Sequence, residues 1–211
     1  MNDRTVDSST HPFRSLRPAL MAMLRAVTES RTNYWLSYVA DLACLAALGY
    51  CGWRHATGWA VPLICLCAGV FAFSWVEYAI HRWLFHAPWS FLTPLHQTHH
   101  RFPQQLTSLP FFTGGIVMFL SWWALAPLFG EQITSFYLAG IMAGYLCYGT
   151  LHHLEHSARV GPHSFRWLQH RRGVHWIHHR HAHANFGVTS AFWDRVFGTG
   201  YRSKKRDPSR Y

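Results

Sequence analysis

Histidine is the residue type that stands out in this chain, both in number and in spacing. The chain has 17 histidines against 9 aspartates and glutamates. The segment HQTHH at 96–100 places three histidines within five positions, and HWIHH at 175–179 repeats the same spacing. A neutral imidazole is the commonest metal ligand among side chains. The composition and the repeated spacing therefore indicate a metal site.

Four histidine-rich segments, called boxes below, supply ten candidate ligands. On a helix, residues three and four apart share a face, so each HxxHH box is expected to direct its imidazoles toward one point. A mononuclear zinc site needs only three or four ligands, so ten imidazoles suit two metal ions, each with room for an exchangeable oxygen ligand. Imidazole binds zinc, copper, iron and nickel, so the ligands leave the metal open. The ten are His81 and His86; His96, His99 and His100; His152 and His156; and His175, His178 and His179.

Four apolar segments of about 20 residues flank the boxes, near 34–52, 58–80, 109–129 and 133–151. At 1.5 Å per residue, each is long enough to cross a hydrocarbon core of roughly 30 Å. The chain is 50% hydrophobic and 17% aromatic with only 13% charged residues, which favours a membrane protein. We predict an all-α fold: an integral membrane bundle of about four transmembrane helices with a cytosolic histidine-rich cap. A soluble bundle of buried helices is the alternative.

Basic residues set the expected orientation of these helices. Arg14, Arg17, Arg25 and Arg31 precede the first apolar segment, whereas the two hairpin tips carry one arginine between them. The positive-inside rule then places the amino terminus in the cytoplasm. Two hairpins return the chain to that side after residues 80 and 151, where boxes begin. All four boxes are therefore expected on the cytoplasmic face.

The chain divides by composition into a short basic tail and a membrane domain. We assign 1–32 to a cytosolic tail, in which PALMAMLRAV could lie flat on the membrane as an interfacial helix or be disordered. Residues 33–211 form the membrane domain, with boxes at 81–100 and 152–183. The net charge of +10 accompanies tryptophans and arginines around the membrane segments, which indicates contact with anionic lipid. Nucleic-acid binding is not expected.

Two classes of function fit a histidine-rich site at a membrane face. In the first, a redox di-iron centre activates dioxygen and oxidises a C–H bond of a lipid. In the second, the protein binds or transports a metal without chemistry. A transporter places polar ligands at mid-membrane, yet the apolar segments contain no histidine before their cytoplasmic ends. A b-type haem protein is disfavoured for the same reason, because it would also need histidines within the apolar segments. A site at the membrane edge, which an acyl chain reaches from the bilayer, favours the first class.

The boxes and their flanks resemble a known family. The segments EYAIHRWLFH, HQTHH, GYLCYGTLHHLEH, HWIHHRHAHANFG and FWDRVFGT, between about Glu77 and Thr199, are similar to the fatty acid hydroxylase and sterol desaturase superfamily of integral-membrane di-iron oxygenases. The first box, the lead into the third and the loop lengths look closest to fatty acid 2-hydroxylases, without their fused cytochrome b5 domain. The resemblance implies an O2-dependent hydroxylase of a lipid acyl chain. A sterol or lipid desaturase, a carotenoid-type hydroxylase and a non-catalytic membrane metal-binding protein are the alternatives.

The resemblance also implies the cofactors and the partners. The ten box histidines would ligate two iron ions, which zinc can replace in purified protein, with O2 as co-substrate. His153, His181 and His183 are additional ligand candidates that match the family less closely. No catalytic residue is expected beyond the ligands. The substrate would be a membrane lipid. Electrons would come from a separate donor, a ferredoxin or a cytochrome b5-like protein with its reductase.

A few other side chains near the boxes have expected roles. Glu77 lies one helical turn before His81, so it could orient that ring or pair with an arginine. Asp194 is expected to pair with an arginine and fix the carboxy-terminal turn. Aromatic side chains that could line an acyl channel are Trp83, Phe85 and Tyr148.

The expected location is the bacterial inner membrane, with cytoplasmic boxes, or the endoplasmic reticulum if the source is eukaryotic. The basic residues comprise 17 arginines and 2 lysines, which we take as a bacterial trait. The terminal RSKKRDPSRY carries no KDEL-type retention signal.

Overall fold

A computed structural model describes residues 12–90, 92–157 and 165–203. Every regular element within these ranges is helical, in agreement with the predicted all-α class. A π-helical turn, His81–Phe85, continues α3 directly. The α-helices are α1 (Pro12–Thr28), α2 (Arg31–Trp53), α3 (Ala60–Ile80), α4 (Thr93–Arg101), α5 (Thr113–Phe129), α6 (Glu131–His156), α7 (Arg166–Arg180) and α8 (Phe192–Val196).

The four predicted apolar segments all form helices, namely α2, α3, α5 and α6. Two helical stretches have the length and the hydropathy of a membrane span, Arg31–Trp53 and Ala60–Phe85. The apolar helix α5 is shorter, at 17 residues. Helix α6 has 26 residues and ends in the polar sequence HHLEH. Two candidate spans are therefore established by length and composition, and the number four remains a prediction.

Helix α6 is the central element, and glycines bring it against α3. A Cβ atom on Gly140 would lie 2.3 Å from the carbonyl oxygen of Leu66, and one on Gly69 would lie 2.0 Å from that of Tyr137. A Cβ on Gly144 would lie 2.8 Å from Phe73. Gly140 and Gly144 form a Gly-xxx-Gly pair, a spacing that lets two helix backbones approach closely. The other side of α6 packs on α2 and α5 around Leu48, Met118, Leu138, Ala139 and Met142.

The amino-terminal tail is helical where it is described. Helix α1 ends at Thr28, whose carbonyl accepts a hydrogen bond from the Ser108 amide, and Ser30 then caps the first turn of α2. Residues 1–11 of the predicted tail lie outside the described residues. The division of the chain at residue 32, and the interfacial position of α1, remain predictions.

The helices deliver the four boxes to one end of the bundle. The π-helical turn holds the first box, and π-helical turns occur often at functional sites. Helices α4 and α7 carry the second and fourth boxes, and α6 ends in the third. Beyond α7 the chain turns back over the boxes through residues 184–189, called the clamp loop below. Asn185 in this loop has a positive φ of 57°, a conformation that asparagine tolerates better than most residues.

Candidate metal centre

Nine of the ten predicted ligands form two groups of converging ring nitrogens. Within each group, one nitrogen of every histidine lies within 4.8 Å of the others. Group one takes residues from all the boxes except the third, and group two takes residues from all except the first. Group one consists of His81, His86, His96, His100 and His178, and group two consists of His99, His152, His156 and His175.

The tenth predicted ligand, His179, lies beside both groups. Its Nε2 atom is 3.1 Å from Nε2 of His175 in group two. Its ring stacks on that of His100 in group one, with the centroids 4.3 Å apart. All ten box histidines therefore lie in one continuous cluster.

The sequence-based expectation that each HxxHH box points at one site is wrong. In α4, His96 and His100 belong to group one and His99 to group two; in α7, His178 belongs to group one and His175 to group two. Successive residues on a helix are rotated by about 100° around its axis. Relative to a given residue, the residue three positions later is therefore rotated to one side and the residue four positions later to the other side. Both helices therefore lie between the two groups and contribute to each.

The spacing of the nitrogens in group one fits a single metal ion. Nε2 of His96 lies 3.2 Å from Nε2 of His81, 3.0 Å from that of His86 and 3.0 Å from that of His100. Nε2 of His86 lies 3.1 Å from that of His178. Nitrogens bound to one ion at roughly 2.0–2.1 Å would be separated by about this distance. The donor set is thus compact enough to share one ion.

Backbone carbonyls of the clamp loop orient two of these rings. Nδ1 of His81 lies 2.6 Å from the carbonyl oxygen of Phe186, and Nδ1 of His178 lies 2.8 Å from that of Ala184. A carbonyl oxygen can only accept, so each Nδ1 must carry the proton and donate. The opposite nitrogen, Nε2, then presents its lone pair to the centre of group one.

Two buried carboxylates hold the clamp loop by its backbone amides. Asp194 accepts hydrogen bonds from the amides of residues 186 and 187, at 2.8 and 2.9 Å, and from the hydroxyl of Thr199. Glu77 accepts from the amides of residues 188 and 189 and from the Thr189 hydroxyl. The predicted contact of Glu77 with His81 is therefore wrong. An arginine, Arg171, is near enough to interact electrostatically with Glu77, but the hydrogen bonds of the carboxylate go to the clamp loop. Asp194 does fix the carboxy-terminal turn, but its partners are amides and a hydroxyl in place of an arginine.

Sequence reasoning missed a buried glutamate and arginine behind group two. Glu155 is fully buried, and its carboxylate lies 3.6 Å from Nδ1 of His175 and 3.9 Å from Nε of Arg171. Arg171 also donates to the carbonyls of residues 187 and 188, so it joins group two to the clamp loop. Their helical spacing from the box histidines could have identified both residues as neighbours of the site. Glu155 follows His152 by three positions, and Arg171 precedes His175 by four, so each shares a helix face with a predicted ligand.

The electrostatics of the cluster keep the imidazoles uncharged. Burial lowers the pKa of His99 to about 3, and the neighbouring imidazole of His156 lowers it further. Burial likewise lowers the pKa of His178 to about 4. Both ring nitrogens of His99 are buried without a hydrogen-bond partner. Neutral rings with unused lone pairs are the form in which histidine binds a metal ion, so the residues present fit such a group.

The less secure ligand candidates lie outside both groups. Nδ1 of His153 is 3.1 Å from the hydroxyl of Tyr34. His181 stacks on Tyr201, and His183 is exposed. Of the other histidines outside the boxes, His170 is exposed and His55 pairs with Glu131, while His11 and His163 lie outside the described residues.

A cavity of about 370 Å³ opens beside the cluster. Its wall includes His96 from group one together with His99 and His152 from group two. The predicted channel residues Phe85 and Tyr148 line it. The remaining prediction, Trp83, is wrong, because this side chain packs in an aromatic cluster with Trp75 and Tyr78. Both groups thus border one space.

Residues 66–199 match the family model described as fatty acid hydroxylase, which is more than half of the chain. The chain belongs to the fatty acid hydroxylase family. The match covers every box and the clamp loop, whereas α1 and α2 precede it.

Relatives named as hydroxylases are similar over more than 60% of the chain. The dihydroceramide fatty acyl 2-hydroxylase FAH2 of Arabidopsis thaliana is 33% identical over 140 residues, which are 62% of this chain and 58% of that protein. The ceramide very long chain fatty acid hydroxylase SCS7 of Saccharomyces cerevisiae is 32% identical over 63% of this chain and 37% of its own length. The chain therefore spans less than two thirds of these relatives. A solved structure described as full-length scs7p, with only the hydroxylase domain visible, aligns with a TM-score of 0.68 and 27% identity, over 80% of this chain and 67% of the other.

Proposed function

We propose that this protein is a membrane-bound, O2-dependent hydroxylase that uses two metal ions to oxidise a lipid acyl chain. The observation that carries the proposal is the cavity whose wall contains histidines of both groups. An acyl chain in that cavity would lie against both ions at once. The relatives named as fatty acyl 2-hydroxylases support hydroxylation over desaturation. A protein that only stored or passed on a metal would have no need for the cavity.

Group one and group two would each hold one ion, with His179 available to either because it contacts His175 and His100. When bound, a pair of iron ions would supply the redox chemistry that activates O2 toward an unactivated C–H bond. Electrons would come from an external donor such as a ferredoxin or a cytochrome b5-like protein. Imidazole ligation accepts zinc as well, so zinc in purified protein is compatible with the proposal.

The chain's own residues would position the ligands and the substrate. The clamp loop fixes the protons on Nδ1 of His81 and His178, so both rings reach group one with the nitrogen that can bind a metal. The ring of Tyr148 stacks on His152 with an interplanar angle of 9° and lines the cavity beside it. This wall would hold one methylene near the cluster and exclude water from it.

The helices outside the cluster support a multi-pass position in the membrane. Side chains on three different helices are apolar and largely exposed: Val39 on α2 at 65%, Leu63 on α3 at 63% and Phe119 on α5 at 65%. Such surfaces are costly in water and favourable against lipid. We propose four crossings, with both termini and all boxes cytoplasmic. The membrane would be the bacterial inner membrane, or the endoplasmic reticulum in a eukaryote.

Lipid mass spectrometry with point variants tests the proposal. Extracts of cells with and without the protein should differ by lipids that have gained one oxygen; a loss of two hydrogens would indicate a desaturase. His99→Ala and His178→Ala each remove a buried ring from one group and should abolish the product. His170→Ala is the matched control, because this exposed residue of α7 belongs to neither group. Wild-type product levels in both ligand variants, with reductase and O2 supplied, would refute the proposal.

A further inference from the structure

The strongest unexplained feature outside the cluster is a carboxyl group inside an apolar helix. Asp41 lies ten residues after the start of α2, which is about 15 Å along the helix, and only 4% of its surface is exposed. Its neighbours Val39 and Leu42 are apolar and exposed at 65% and 55%. An ionisable residue in a helix of this kind is costly, and it usually faces a cavity or a functional site.

The protein itself offers Asp41 no hydrogen-bonding partner among the residues that the structure describes. Its Oδ1 atom instead lies over the first turn of α5, where a Cβ atom on Gly114 would be only 2.5 Å away. A glycine at that position leaves the room that the carboxyl occupies. Unlike the ring nitrogens of His99, its oxygens are not sealed inside the protein, so the carboxyl opens onto a space that a ligand can enter.

Asp41 lines the same cavity as the histidines, and it lies at the end farthest from them. The cavity face of α2 carries Tyr34, Tyr38 and Asp41 at successive turns. One turn further along α2, Cys44 and Leu45 already pack into the apolar core, so the cavity closes at Asp41.

The facing helix α6 gives the depth of the cavity. Tyr145 of α6 is near enough to Asp41 to interact with it electrostatically. His152 follows Tyr145 by seven residues, or about 10 Å along the helix. Asp41 therefore lies about two helical turns deeper than the metal cluster.

We propose that Asp41 selects the substrate by accepting a hydrogen bond from a hydroxyl group on the lipid in the cavity. This inference rests on the proposed function and adds a substrate class: a lipid with a hydroxyl group about two helical turns from the oxidised carbon. An unsubstituted chain would cover the carboxyl and leave it unpaired, which disfavours that chain. Asp41 precedes residue 66, where the family match begins, so this selectivity belongs to a part of the chain outside the family core.

Binding of simple lipids to the purified full-length chain tests the inference without catalysis. The probes are 1-dodecanol and dodecane, which differ by one hydroxyl group, and the readout is ligand-induced thermal stabilisation in detergent. Wild type should bind dodecanol at least about tenfold more tightly than dodecane. Asp41→Leu should reduce that preference to below about threefold. Asp41→Asn should keep part of it, because the amide oxygen still accepts. Equal binding by wild type, or an unchanged preference in Asp41→Leu, would overturn the inference.

A control variant and two further measurements accompany this experiment. Glu131→Leu makes the equivalent change at an exposed position and should keep the wild-type preference for dodecanol. Dodecylamine distinguishes a cationic lipid: stabilisation by the amine alone would overturn the hydroxyl assignment. Unliganded Asp41→Leu should melt at or above the wild-type temperature, because a carboxyl that makes no hydrogen bond with the described residues is replaced by an apolar side chain. A clear fall in melting temperature would show a structural role and would contradict the inference. If wild type prefers dodecanol but oxidises no lipid, only the proposed function fails.

Discussion

Replacing Asp194 by asparagine should loosen the clamp loop and release metal from group one. Asp194 is 2% exposed, and its two oxygens accept from the amides of residues 186 and 187. Asparagine keeps one oxygen and puts an NH2 group in place of the other, which cannot accept from an amide. One hydrogen bond to a charged acceptor is lost and a buried amide is left without a partner. The free energy of unfolding should therefore fall by about 2–3 kcal/mol.

The effect on metal binding follows from the contacts of Phe186. Its amide donates to Asp194, and its carbonyl accepts from Nδ1 of His81 at 2.6 Å. Movement of this residue frees the His81 ring to rotate. Loss of such an outer partner typically lowers metal affinity by about 10–100-fold. Group two should be less affected, because the Nδ1 atom of its His175 faces Glu155 instead of the loop.

Metal analysis of the purified protein under increasing chelator provides the assay. Wild type should retain two ions per chain, and Asp194→Asn should fall toward one at chelator concentrations that wild type resists. Glu131→Gln, the same chemical change at an exposed site, is the control. If Asp194→Asn is destabilised but releases metal like wild type, the clamp loop does not position His81. Equal loss from both groups would also contradict the reasoning.

Two further predictions concern the helices. Gly140→Ala would place a Cβ atom 2.3 Å from the Leu66 carbonyl oxygen, so α3 and α6 must separate. We expect a loss of about 1–3 kcal/mol in thermal unfolding, together with lower activity; a variant as stable and active as wild type would exclude a tight contact there. Cysteines introduced at positions 55 and 131 should react with a membrane-impermeant label from outside the cell, and a cysteine at 165 only after permeabilisation. Labelling of position 165 from outside would refute the cytoplasmic placement of the boxes.

The clustering of the box histidines was predictable because their signal is local. Residue type and spacing within HQTHH and HWIHH identify the ten imidazoles, and the apolar segments predict helices in the right places. The assignment of each ring to a group was not predictable, because it depends on how α4 and α7 lie between the groups. His96 and His99 are three residues apart and still belong to different groups.

Contacts that cross the fold also escaped sequence reasoning. Glu77 was expected near His81 because the two are one turn apart, but its partners are amides more than 100 residues away. The orienting acceptors of His81 and His178 are backbone carbonyls, which leave no mark in the residue types of a single sequence. Only the folded chain shows that Ala184 and Phe186 act through their main-chain carbonyls.

Helices α3 and α6 are closest at Gly69 and Gly140, and both helices carry histidines of the cluster at their cytoplasmic-side ends as proposed above. His81 follows Gly69 by 12 residues, and His152 follows Gly140 by 12 residues, so two rigid arms of about 18 Å run from these glycines to the histidines. A change of 5° in the angle between arms of that length moves their ends by about 1.6 Å. That displacement is comparable to half the nitrogen spacing within group one. The two buried glycines fix the angle between α3 and α6, and that angle determines how far apart the histidines of the two helices lie.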